Sequence, residues 1–158
     1  MRKLLLTTAV FGIVVAGRPA PARADFGLGL FIGEPTGIDF KIGLGGRSGL
    51  DLLIGFASLR NTFDDGRVGY GHVTYLVTPV VAQGNAVTVP IRLGIGAAVF
   101  GPSGDPSVAI RAPLEVGLRL RRTPLEFYGE IALAIVFVDP ADDVYSDVQG
   151  GVGFRLYF

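Results

Sequence analysis

Val148-Gln-Gly-Gly-Val-Gly-Phe-Arg-Leu-Tyr-Phe158 is the stretch whose reading decides the fold. Val148, Gly150, Val152, Phe154, Leu156 and Phe158 fall on one parity; Gln149, Gly151, Gly153, Arg155 and Tyr157 fall on the other. Successive side chains of a strand point to opposite faces, so this segment reads as a strand. One of its faces is apolar, and the other carries an amide, a charge and glycines. The sequence stops on a phenylalanine, with no tail after the strand.

Seven further segments upstream alternate in the same way. They are Phe26–Gly33, Ile38–Leu44, Leu50–Ala57, a weaker one at His72–Val77, Val87–Ala97, Ile110–Leu120 and Leu125–Phe137. Asp39, Lys41, Asp51, Arg92, Arg111, Glu115, Arg119, Glu126, Glu130 and Arg155 all share a face with small or polar residues. Within single strands this agreement is independent of the phase chosen: Arg111, Glu115 and Arg119 agree with one another, as do Glu126 and Glu130. A soluble ligand-binding barrel has an apolar lumen and a polar exterior. Here the order is reversed, because a continuous apolar face must look outward, and lipid rewards that. The expectation is an all-β fold, an eight-stranded antiparallel up-and-down transmembrane β-barrel.

The N-terminal sequence points to the same destination. Arg2 and Lys3 precede the apolar run Leu4–Ala16, and Ala22-Arg23-Ala24 supplies a small-x-small cleavage pattern. This reads as a secretory signal peptide over residues 1–24, with the barrel domain over 25–158. The apolar run is too short for a membrane helix, which needs about 20 residues. The competing reading is a retained amphipathic anchor. Four of the 14 basic residues lie in the leader, leaving ten against 14 acidic ones, with no basic patch to suggest a nucleic-acid partner. There is no cysteine, hence no disulfide, thiolate metal site or cysteine nucleophile.

With both termini in the periplasm, connections at that end should be short and the opposite ones longer. Gly45–Ser48, Gln83–Asn85 and Arg121–Pro124 are brief, whereas Ser58–Gly69, Gly101–Ser107 and Asp139–Asp147 are longer; Gly33–Gly37 is a tight exception. Pro90 and Pro113 fall inside strands, where the missing N–H leads us to expect bulges or later strand starts.

Gly33-Glu-Pro-Thr-Gly37, Val89-Pro-Ile-Arg-Leu-Gly-Ile-Gly96, Pro124-Leu-Glu-Phe127 and Gly150–Phe158 occur in this order. Together they resemble a family of small bacterial outer-membrane β-barrels of unknown function, over most of Phe26–Phe158. In size and strand count the chain is also similar to the OmpX and OmpA-barrel class, without the peptidoglycan-binding domain that follows the latter. The resemblance implies an eight-stranded outer-membrane barrel and carries no catalytic residues.

An eight-stranded barrel is just wide enough to be filled by its own side chains. The inward charges are therefore expected to form a salt-bridged plug, since buried charges are costly unless paired. Gly94, Gly117, Gly151 and Gly153 would leave room for the arginines, and Arg155 should reach the glutamates of the seventh strand. A narrow pore through the same network is the alternative reading. A lipid-modifying enzyme using His72 is a further one, although no serine lies two residues from His72 and no matching acidic motif follows it. The acidic segments Phe63-Asp-Asp-Gly66 and Asp139-Pro-Ala-Asp-Asp143 read as solvated loops, with Ca²⁺ or partner capture as the alternative. Tyr70, Tyr75, Phe100, Phe127, Phe137, Tyr157 and Phe158 read as interfacial girdles. Val152, Phe154, Leu156 and Phe158 match the terminal signal read by the barrel assembly machinery. The expectation is thus a non-enzymatic, monomeric outer-membrane protein in contact with membrane lipid and lipopolysaccharide, with no cofactor and no metal.

Overall fold

Alternating sequence becomes eight strands in a computed structural model that describes residues 26–58, 67–101, 106–138 and 143–158. These are β1 (Phe26–Glu34), β2 (Thr36–Gly45), β3 (Ser48–Ala57), β4 (Val68–Gln83), β5 (Val87–Gly101), β6 (Ser107–Leu120), β7 (Leu125–Val138) and β8 (Asp143–Tyr157). The leader, Phe63–Gly66 and 139–142 lie outside the described residues. Each strand pairs antiparallel with its sequence neighbour, and β1 pairs with β8, so the sheet closes into a barrel. The Phe158 N–H donates to Phe26 O at 2.9 Å, extending the closing seam to the last residue.

Period-two alternation sorts the side chains as read from the sequence. Outward Ile54, Leu133, Val152 and Phe158 are exposed, whereas inward Asp39, Arg111, Glu115, Glu126 and Arg155 are 0% exposed. The interior has two parts. Near the end holding the termini it is ionic; toward the other end it is apolar, built from Phe31, Leu53, Tyr70, Ala98, Phe100 and Val136 among others. Tyr70 and Phe100 stack with ring centroids 6.0 Å apart. Three of the expected girdle residues are therefore misplaced: Tyr70, Phe100 and Tyr157 are buried inside. Tyr75, Phe127, Phe137 and Phe158 do face outward.

Several boundaries differ from the sequence reading. β4 runs well beyond His72–Val77, and its weak alternation has a cause. The β4–β5 register shifts between Val77 and Val80, where Thr78 and Pro79 together stand opposite Arg92. Such a bulge adds a residue and flips the phase that follows. The expected bulges at Pro90 and Pro113 are absent. Instead the β5–β6 ladder keeps one register and skips Val89–Pro90 and Gly94–Ile95, the latter opposite Pro113. A missing N–H here removes ladder bonds without shifting the strands. Finally, β8 starts at Asp143 and takes up most of the segment expected as the Asp139–Asp147 loop. The contrast in connection length then rests on the segment between β3 and β4.

Candidate functional site

The barrel interior brings the inward charges together. From β8, Arg155 spans the lumen: Nε donates to Asp39 on β2, Nη2 to Asp51 Oδ1 on β3 at 2.6 Å, and Nη1 to Glu115 Oε2 on β6 at 2.7 Å. Its guanidinium also lies 3.7 Å from the Tyr128 ring centroid. Arg92, on β5, forks onto Glu126 at 2.7 and 2.8 Å and also meets Glu115. Lys41 on β2 completes the Glu115 shell at 3.2 Å. Planar guanidinium forks suit such carboxylate pairing, and closing every pair is what makes burial of these charges tolerable.

A second group sits deeper, toward the apolar half. Arg111 donates to Glu130 from Nη2, and to Thr74 Oγ1 at 3.1 Å from Nη1. His72 bridges the two groups, with Nε2 3.3 Å from Asp51 and Nδ1 3.0 Å from Arg111 Nη1. Arg111 Nη1 also lies 2.9 Å from Nε2, so this guanidinium nitrogen sits about equally close to both ring nitrogens. Three tyrosines finish the network: Tyr128 OH donates to Asp39 at 2.6 Å, Tyr157 OH to Glu126 at 3.2 Å, and Tyr70 OH to Gln149 at 3.0 Å. Arg119 is half-buried, its guanidinium 4.0 Å from the Tyr157 ring centroid.

All ten charges read from the sequence face the interior, although their partners differ from those expected. Of the two β7 glutamates Arg155 approaches Glu126, 3.6 Å away, and its closer carboxylate partners lie on β2, β3 and β6. Among the four lumen glycines, Gly117 alone makes room for an arginine: a Cβ there would stand 3.1 Å from Arg92 Nη1. At Gly153 the space is taken by the Tyr128 ring, at Gly151 by backbone of β1 and the Phe31 ring, and at Gly94 by Leu76 and Thr74. Tyr128, Gln149 and Thr74 share the inward parity of the charges, and the structure adds them to the network. Tyr157 was also on that parity, and this excludes it from the girdle.

His72 is 6% exposed and walled in by Arg111, Asp51 and the Tyr70 ring, which meets it edge-on at 5.7 Å. Its polar neighbours are thus positioning and pairing groups inside the lumen, away from the outer wall. Asp39 Oδ1 and Arg111 Nε are buried without a protein partner. Each is the remaining atom of a group otherwise fully engaged. Among the described residues no group of His, Asp and Glu is arranged to hold a metal ion. No family model, curated protein or solved structure matches this chain.

Proposed function

We propose that this is an exported, monomeric outer-membrane β-barrel with a structural or surface-interaction role and a closed, salt-bridged interior. The observation that carries the reading is the inverted distribution of side chains. Ile32, Ile54, Phe127, Leu133 and Val152 are 51–67% exposed around the wall, while the charges are sequestered within. In water this order is unfavourable on both sides, since each large apolar side chain left exposed forgoes about 1.5–3 kcal/mol of burial. Soluble monomers rarely expose contiguous apolar patches beyond a few hundred Å². In a bilayer the outer face is solvated by hydrocarbon, and closure gives every strand a neighbour on both sides, leaving no open sheet edge along the wall.

The remaining assignments follow from that reading. Residues 1–24 act as the export signal, and Val152, Phe154, Leu156 and Phe158 are recognised by the assembly machinery. Membrane lipid and lipopolysaccharide cover the wall. The small outer-membrane barrel family and the OmpX and OmpA-barrel class are the kind of protein this reading places it with. Neither a pore nor a lipid-modifying activity at His72 has a comparable supporting observation. Expression in a diderm bacterium, with fractionation and gel mobility before and after boiling, tests the proposal. The expected result is recovery in the outer membrane with a heat-dependent mobility shift. Recovery in a soluble fraction with no shift would contradict it.

A further inference from the structure

We propose that the free edge of β4 at Val81–Gln83 docks the C-terminal segment of another protein, which adds as a short strand and sets its α-carboxylate on Arg47. This deepens the surface-interaction role, and it rests on the membrane-spanning reading, which puts the edge in the periplasm beyond the hydrocarbon. β4 and β5 are 16 and 15 residues long, whereas a membrane strand needs about 9–11. For β4 the surplus lies at the end holding the termini. Ala57, the last residue of β3, pairs with Val68, the first of β4, so the two strands are level at the other end. Ser48, the first residue of β3, pairs with Val77, and Thr78–Gln83 runs on without β3 beside it.

The hydrogen-bond phase fixes which backbone groups this edge presents. The Gly84 N–H donates to Val87 O at 2.9 Å, closing the β4–β5 hairpin. Bonded pairs in an antiparallel ladder recur at every second residue, so Ala82 with Val89 and Val80 with Ile91 are bonded pairs too. The N–H and C=O of Val81 and Gln83 therefore point away from β5, to a side where no strand pairs among the described residues. Pro90, opposite Val81, suits this phase because it has no N–H to offer β4. An unpaired row of this kind is a template for strand addition.

Direction and charge select the occupant. The β2–β3 turn closes the end of the edge nearest the barrel: the Thr78 N–H donates to Arg47 O at 2.8 Å, and Arg47 Nη1 lies 3.5 Å from Pro79 O. A strand antiparallel to β4 follows the direction of β3 and meets this turn with its C-terminal end. It must stop there, where Arg47 is exposed and keeps further N–H groups for a carboxylate. A strand of the opposite direction would bring an N-terminal ammonium to the same cation. Arg47 has φ 69°, so the turn holds an arginine where glycine would fit without strain. When one residue of the docked strand stands opposite Val81, its neighbours stand opposite Val80 and Ala82, which are exposed on the apolar outer face. The occupant thus has an apolar residue at its last position, another two before it, and a free carboxylate.

Fluorescein-labelled Thr-Val-Thr-Val, with its C-terminus free or amidated, provides the test. It is titrated by fluorescence anisotropy against the full barrel in phosphatidylcholine nanodiscs, with empty nanodiscs as background. Wild type is expected to bind the free acid saturably and the amide about tenfold more weakly, a factor that matches about 1.4 kcal/mol. Arg47→Gly, which suits the left-handed turn, should bind both forms at the level of the amide. Val81→Pro removes an edge N–H while leaving the β4–β5 bonds in place, and should bind neither. No saturable binding of the free acid by wild type, or equal binding of acid and amide, would overturn the site and leave the membrane reading standing. Arg47 and Pro79 also blunt the free edge. Dimerisation of Arg47→Gly with an unchanged preference for the acid would therefore assign Arg47 to edge protection and overturn the site. Failure of wild type to enter nanodiscs would overturn the membrane reading, and the docking site with it.

Discussion

Arg155 reaches four carboxylates on four different strands and stacks on Tyr128, so it links more of the interior than its lateral neighbours alone would allow. Removing one member of a buried ion pair leaves its partners desolvated and unpaired, at a cost of about 3–5 kcal/mol. Arg155→Ala is expected to lose at least that much in urea unfolding of the lipid-embedded barrel. Arg122→Ala, at an exposed turn, should lose little. Equal losses would show that Arg155 does not hold the interior together. That Arg155 points inward was legible from parity. Its partners were not, because alternation fixes the face of each residue and not its height on tilted strands. Asp39, Asp51 and Glu115 therefore could not be placed at one level from sequence.

β4 shows how an element can be partly hidden in sequence. Its alternation is clean from Tyr70 to Val77 and then inverts at Thr78-Pro79, because one inserted residue shifts all later side chains to the other face. β7 and the C-terminal part of β8 have no such shift, and their inward and outward sets were read correctly throughout. Glycines within strands provide a test at this scale. A Cβ at Gly153 would meet the Tyr128 ring at 2.5 Å. That ring cannot step aside cheaply, being bonded to Asp39, stacked on Phe31 and covered by Arg155. Gly153→Ala is therefore expected to cost about 1–3 kcal/mol, the usual range for overpacking. Gly69→Ala, with nothing within 4 Å of the added atom, should be neutral or gain about 0.4–1 kcal/mol through the unfolded state. Measured stabilities in the reverse order would contradict the packing described for β8 against β7.

At the scale of the whole molecule, the described interior is packed in two different ways along its length. Ion pairs fill the end near the termini, and stacked Tyr70 and Phe100 with their apolar neighbours fill the other. Only the ionic half was anticipated, because the inward charges stand out in the sequence while inward alanines and aromatics read as ordinary strand residues. A planar bilayer containing the purified barrel should stay silent over a wide voltage range, and steady unitary conductance would show that the interior opens. The central claim is that the apolar face meets lipid and the charged face is enclosed. The chain contains no tryptophan, so a single one reports its own surroundings. The most direct measurement places it at outward Phe127, 51% exposed, or at inward Phe100, 2% exposed, in vesicles with brominated acyl chains. Each variant is first checked for the heat-dependent mobility shift. Strong quenching for Phe127→Trp and little for Phe100→Trp is the expected result; equal quenching at both, or quenching at neither, would contradict the claim.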